Sequence, residues 1–193
     1  MGENIVIIIS YLLGSIPFAY IMTHLIKGLD IREMGSGNVG STNALRTAGK
    51  RVAGAALTGD LLKGCLAAWL GMHFGGAGLA AICAVAAVIG HCWPVFLSFK
   101  GGKGVATTAG VTLFLMPKIF LILLVVFILV VVLSRYVSLA SISVAVLLPL
   151  VAFIFSEPRS ILMMSLFLML LVVYHHRENI VRLRNGNERK IGL

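Results

Sequence analysis

At 193 residues, with 59% hydrophobic and only 12% charged side chains and a mean hydropathy of +1.02, the chain is far more apolar than the roughly 45–50% of an ordinary soluble domain. That excludes a water-soluble globular enzyme and predicts an all-α, polytopic integral membrane protein forming a single domain over 1–193. The formal net charge of +9 invites a nucleic-acid reading. The basic residues, however, sit in short loops between apolar runs with few aromatics among them, so membrane topology and an anionic ligand account for them and no nucleic-acid partner is expected.

A helix needs about 20 residues to cross the hydrocarbon, fewer if its neighbours shelter its ends. The first run, 4–26, has no basic segment ahead of it and is too long for a signal core, so it reads as a retained span. A polar stretch, 27–51, follows. It contains Gly35-Ser36-Gly37-Asn38-Val39-Gly40-Ser41-Thr42-Asn43-Ala44-Leu45-Arg46. Its glycines permit close ligand approach, its Ser, Thr and Asn side chains offer neutral hydrogen bonds, and Arg46 can fork onto phosphate. The plainer alternative is a loop whose Ser41 or Thr42 caps a helix carrying Arg46.

Next come spans 52–73 and 77–97. Asp60 and Lys63 stand three apart in the former, where a lone charge would cost several kcal/mol, so mutual pairing is expected. The latter runs through Gly90-His91-Cys92-Trp93-Pro94 into Phe99-Lys100-Gly101-Gly102-Lys103-Gly104. Glycine amides beside lysine ahead of a helix suit phosphate or carboxylate oxygens, but the spacing is not that of a nucleotide-binding P-loop. As snorkelling topology markers the two lysines would not need three glycines around them. His91, on an apolar stretch, reads as a packing residue sooner than a catalyst.

Spans 103–116 (short), 118–134, 138–155 and 160–176 bring the count to seven, or six if 103–134 is not divided at Pro117; the charge distribution favours seven. Ser138 and Ser141, after Arg135, can cap a helix or bond an anion. The last span closes on Tyr174-His175-His176-Arg177-Glu178-Asn179, where His176 and Asn179 share a helical face. Adjacent histidines point about 100° apart, so no metal pair is expected there. The cysteines, Cys65, Cys83 and Cys92, fall in apolar segments without metal-ligand or disulfide spacing.

With seven spans and the N-terminus outside, thirteen of the sixteen Lys and Arg residues fall on the cytoplasmic side and two, Lys118 and Arg159, outside; Lys63 lies within a span. This bias places the C-terminus in the cytoplasm. It also brings every polar constellation to one face, as one site for phosphate-bearing ligands beside a lipid-facing bundle.

These motifs, in this order from the first span to about residue 184, resemble the bacterial PlsY family of acyl-phosphate-dependent glycerol-3-phosphate acyltransferases. The resemblance implies a seven-helix inner-membrane enzyme that moves a fatty acyl group from acyl phosphate to glycerol 3-phosphate, giving lysophosphatidic acid and phosphate, with no cofactor and no acyl-CoA donor. It implies that Arg46, Lys103, Ser141, His176 and Asn179 surround the two phosphates. Ser36, Asn38, Thr42 and Asn43, with the amides of Gly37, Gly40, Gly101 and Gly102, would shape the phosphate pocket, and Glu178 would brace nearby basic residues.

None of the five histidines has an acidic residue five positions on, the pattern many glycerolipid acyltransferases use for proton removal. Positioning and electrostatics by Lys103 and Arg46, with the substrate's own phosphate taking the proton, is the expected chemistry; His176 as general base is the competing version. A transporter of small phosphate esters is the alternative function, disfavoured by the absence of repeat symmetry.

Overall fold

Helices begin and end where proline and glycine interrupt the apolar runs. The computed structural model describes residues 2–192, and no strand occurs among them. The first run is a broken helix, α1 (Glu3–Gly14) and α2 (Phe18–Lys27). Pro17 cannot donate to the helical ladder, and the break frees carbonyls that need a partner inside the bundle. Lys63 Nζ donates to one of them, Ile16 O, at 2.9 Å.

The polar stretch holds a short helix, α3 (Ser41–Thr47), that carries Arg46, but its N-cap is Gly40 and neither Ser41 nor Thr42 caps it with a side chain. The helix α4 (Lys50–Cys92) carries non-helical dihedrals at Gly75 and Gly76, with Gly76 at φ 67° and ψ −162°, a region open to glycine. There the chain doubles back. A Cβ on Gly71 would lie 2.5 Å from Ala80 Cα, and Asp60 on one limb meets His91 on the other at 3.4 Å. The two limbs correspond to the predicted spans 52–73 and 77–97.

The remaining helices are α5 (Val105–Leu115), α6 (Pro117–Ser134), α7 (Val137–Ile154), α8 (Arg159–His175) and α9 (Arg177–Arg184). Pro117 opens α6 at its first turn, where a missing N–H costs nothing. By length and composition alone, four helical stretches among the described residues can cross a bilayer, or five if the pair α8 and α9, bent by 59°, is one. That is fewer than the seven expected, for two reasons. The 48 residues from Lys50 to Leu97 count as one stretch although they fold back, and α5, at 11 residues, is only about 16 Å long.

Close approach of small residues packs these helices, as expected where lipid removes the hydrophobic drive between them. A Cβ on Gly14 would lie 2.1 Å from Ala87 O, and one on Gly110 1.9 Å from Leu61 O. The main core joins the second limb of α4 to α5, α6, α7 and α8 through Val88, Val111, Ile119, Leu148 and Leu168. A second cluster, including Ile31, Val39, Ala44, Val52 and Leu97, fastens the glycine-rich loop and α3 to the first limb. The site lies between these two cores.

Candidate active site

A cavity of about 590 Å³ opens at the ends of α4, α5, α7 and α8. Its polar end is lined by Ser36, Asn38, Gly40, Thr42, Asn43 and Arg46 from the first motif, Lys103, Ser138 and Ser141, and His176, Asn179, Arg182, Glu188 and Arg189 from the end of the chain. Its apolar end is lined by Leu57, Leu61, Phe120, Leu123, Leu124, Phe127, Val144 and Leu148. Leu57 and Leu124 are also 46% and 39% exposed, so the apolar wall reaches the outer face of the bundle between α4 and α6.

One buried network organises the polar end. Lys103 Nζ donates to Asn179 Oδ1 in a short contact. Asn179 Nδ2 donates to Glu188 Oε1 at 2.7 Å, and Ser138 Oγ donates to the same oxygen at 2.8 Å. Arg182 Nε donates to Glu188 Oε2 at 2.8 Å. The carboxylate accepts only and the ammonium donates only, so the Asn179 amide has one orientation that satisfies both. Burial works against the charge on Glu188, but hydrogen bonds from Arg182, Ser138 and Asn179 prevail and hold its carboxyl below the ordinary 4.5. Arg46 lies close by and donates through Nη2 to Arg189 O at 3.1 Å; burial lowers its pKa. Four cations, Arg46, Lys103, Arg182 and Arg189, thus share this end with Glu188, leaving an excess of positive charge.

His176 occupies the bend between α8 and α9 and is 3% exposed. Its Nδ1 lies 2.8 Å from Val172 O, a contact that assigns the proton to Nδ1 and leaves Nε2 as an acceptor. Ser141 Oγ donates to Val137 O at 2.8 Å, as a serine inside a helix often does.

Several expected contacts are corrected. Gly101 and Gly102 do not line the main cavity, and their amides are taken: Gly101 N donates to Cys92 O at 3.1 Å and Gly102 N to His91 O at 3.0 Å. Gly37 N likewise donates to Met34 O at 2.9 Å, so these three amides do not form a phosphate cradle. Gly40 N–H is also bonded within its loop, to Asn38 O at 3.0 Å. Asn43 lines the cavity but its amide is committed to the loop: Oδ1 accepts from Ser36 N at 3.0 Å, while Nδ2 faces the carbonyls of Ile31, Met34 and Asn38 at 3.0–3.3 Å.

The expected pairing of Asp60 and Lys63 is present at 2.8 Å, both side chains being almost wholly buried. It is an ion pair by distance without a well-aligned hydrogen bond at Asp60 Oδ1. Glu178, expected to brace the basic residues, is 74% exposed and only 3.8 Å from Arg182; Glu188 does that bracing from ten residues further on. Glu188, Arg182 and Ser138 as one network escaped the sequence reading. The available signal was a second acid, after Glu178, among the basic residues of the tail, without a spacing that names its partners. Among the described residues no group of three metal-ligating side chains converges.

Comparison with known proteins agrees with the geometry. The family model described as glycerol-3-phosphate acyltransferase matches residues 4–186. The chain is 56% identical over 191 residues to the glycerol-3-phosphate acyltransferase of Syntrophomonas wolfei, covering 99% of this chain and 98% of that protein. It is 44% identical over 185 residues to that of a Thermoanaerobacter species, covering 96% and 93%. Among solved structures it superposes on PlsY (YgiH), an integral membrane glycerol 3-phosphate acyltransferase, in its glycerol 3-phosphate form with a TM-score of 0.96 at 39% identity, over 100% of this chain and 96% of that one. The lysophosphatidic acid form gives 0.93 with the same identity and coverage. On sequence and fold together, this multi-pass membrane protein belongs to the PlsY family of glycerol-3-phosphate acyltransferases.

Proposed function

We propose that the chain transfers a fatty acyl group from acyl phosphate to glycerol 3-phosphate, giving lysophosphatidic acid and inorganic phosphate. The observation that carries this reading is a single cavity with a cation-rich polar end continuous with an apolar wall. A ligand with phosphate at one end and an acyl chain at the other fits that division. The crystal forms of the related enzyme, with glycerol 3-phosphate and with lysophosphatidic acid, name an acceptor and a product of this kind.

In this reading seven helical segments cross the bacterial cytoplasmic membrane, with the N-terminus outside and the polar end facing the cytoplasm. The charge distribution along the loops supports that orientation. The acyl tail enters from the bilayer between α4 and α6, past Leu57 and Leu124.

Arg46 and Lys103 hold phosphate oxygens, assisted by the hydroxyls of Ser36 and Thr42, and by Ser141 once its O–H turns from Val137 O toward the ligand. His176 Nε2 accepts a hydrogen bond from a glycerol hydroxyl. The hydroxyl oxygen bonds to the acyl carbon as the bond from that carbon to phosphate oxygen breaks, and the proton passes to the departing phosphate. An acyl phosphate is already an activated anhydride, so positioning and charge stabilisation supply the catalysis.

The test is the purified protein in closed vesicles with acyl phosphate and glycerol 3-phosphate. Lysophosphatidic acid and phosphate should form in equal amounts without uptake of glycerol 3-phosphate into the lumen. Turnover of acyl-CoA in place of acyl phosphate would overturn the donor, and uptake without product would overturn the reaction. His176→Gln separates its two roles: a raised KM with kcat retained supports orientation, and a large loss of kcat at unchanged KM supports a base.

A further inference from the structure

Although no histidine has an acid at the spacing expected of a sequence-adjacent base, folding makes one such pair. His91 Nδ1 lies 3.4 Å from Asp60 Oδ1 across the two limbs of α4, and the reaction above makes no use of either residue. We propose that His91, braced by Asp60 and Lys63, is a positioning residue that sets the location of Lys103 through Gly101 and Gly102. The inference rests on the assignment of Lys103 to substrate phosphate.

The brace is fixed on one side. Asp60 contacts both Lys63, at 2.8 Å, and His91. Lys63 in turn donates to Ile16 O at the Pro17 break, at 2.9 Å. The imidazole is thereby tied to α1, α2 and both limbs of α4.

On the other side His91 dictates the path of the loop. Its carbonyl accepts from Gly102 N at 3.0 Å, and the next carbonyl, of Cys92, accepts from Gly101 N at 3.1 Å. Its Nε2 edge lies so close that a Cβ on Gly102 would sit 2.1 Å from Nε2, and Val39 O lies 3.0 Å from the same point. Lys103 follows directly and has no helix of its own, since α5 starts at Val105. A long, flexible ammonium side chain is preorganised toward Asn179 only if its backbone is held, and here the holding surface is His91. The glycines at 101 and 102 are then required because the loop packs against an imidazole and two carbonyls, and not because their amides meet phosphate.

The test is a double-mutant cycle of Gly102→Ala and His91→Ala in the full-length protein, read as kcat/KM for glycerol 3-phosphate with detergent melting temperature alongside. Each single change should lower kcat/KM about tenfold or more, and the double variant should be no worse than the worse single, because removing the imidazole makes room for the methyl group. Losses that multiply would overturn the inference. His91→Asn, which keeps an N–H toward Asp60 but lacks the Nε2 edge, should hold the melting temperature and still lose activity; wild-type activity in this variant counts against the proposal. Should the His91→Ala proteins not fold, Gly102→Ala decides alone, and activity within about twofold of wild type refutes the packing argument. Wild-type turnover is measured in the same series: its absence sinks the functional reading, whereas wild-type turnover with multiplying losses sinks only this one.

Discussion

Two buried polar clusters lie within the same bundle and solve the problem of burying charge differently. Around Asp60, Lys63 and His91, one carboxylate meets one ammonium, a backbone carbonyl takes the spare donor, and the side chains are 1–6% exposed. Around Lys103, Asn179 and Glu188, four cations share one carboxylate at the wall of a cavity. The first cluster is charge-balanced, although Asp60 and His91 also line the cavity wall. The second keeps uncompensated positive charge where a ligand can reach it, at the electrostatic cost that binding sites carry. Charge balance, more than burial, separates the brace from the site.

The comparison is broken most sharply by moving each cluster toward the other's condition. Lys103→Met should lower kcat/KM on the order of a thousandfold, the scale for losing a preorganised charge on a reacting phosphate, while detergent melting changes little, because Glu188 keeps its bonds from Arg182, Ser138 and Asn179 and is not stranded. A Lys103→Met protein that melts early but turns over normally would place it in the structural class. Lys63→Met should do the reverse. It leaves Asp60 buried against a His alone and should cost about 3–5 kcal/mol of stability, with Asp60→Asn/Lys63→Met partly restoring it. Thermal unfolding in detergent, with urea titration where reversible, reads the difference.

Much of this was legible in the chain. Six of the seven predicted runs agree with helical segments to within a few residues at their helix ends because Pro17, Gly75-Gly76 and Pro117 punctuate them by local chemistry alone. The 77–97 segment ends earlier, at Cys92, where Pro94 prevents the helix from continuing. Arg46, Lys103, His176 and Asn179 were expected at the site from their motifs and the family resemblance, and all four line one cavity. The use of the glycine amides was not legible. A glycine required for close packing and one required to bind phosphate read identically in sequence, and only the positions of the His91 and Cys92 carbonyls distinguish them. Nor was it legible that Asn43, which lines the cavity, would use its amide to hold its own loop, through Ser36 N and the carbonyls of Ile31, Met34 and Asn38.

Glu188 tests the boundary between the clusters, being a buried carboxylate placed inside the cationic site. Glu188→Gln keeps the shape but sets an amide N–H against Arg182 or Asn179, and should reduce kcat/KM about tenfold through a loosened Asn179 and Lys103. The pH dependence carries a sign. The folded-state pKa is held below 4.5 by the three donors, after burial has opposed them. Glu188 therefore stabilises the tail fully above its unfolded value, and that contribution fades as pH falls through the folded one. Protease nicking of the tail should rise only at acid pH in the wild type, and in Glu188→Gln it should be high throughout.

The smallest effect belongs to Glu178, and it separates proximity in sequence from participation in the network. It lies next to Asn179 and one turn from Arg182, as a bracing residue would, yet its side chain is 74% exposed and 3.8 Å from the guanidinium. Exposed pairs at that spacing are worth a few tenths of a kcal/mol and weaken in salt. Arg182 already has its well-aligned bond at 2.8 Å to Glu188, so removing Glu178 leaves the geometry of Asn179 and Lys103 intact. Glu178→Gln should keep kcat/KM within about twofold of wild type at moderate ionic strength, measured beside Glu188→Gln in one preparation. A larger loss for Glu178→Gln would mean that charge at the rim, and not the buried network, sets the site.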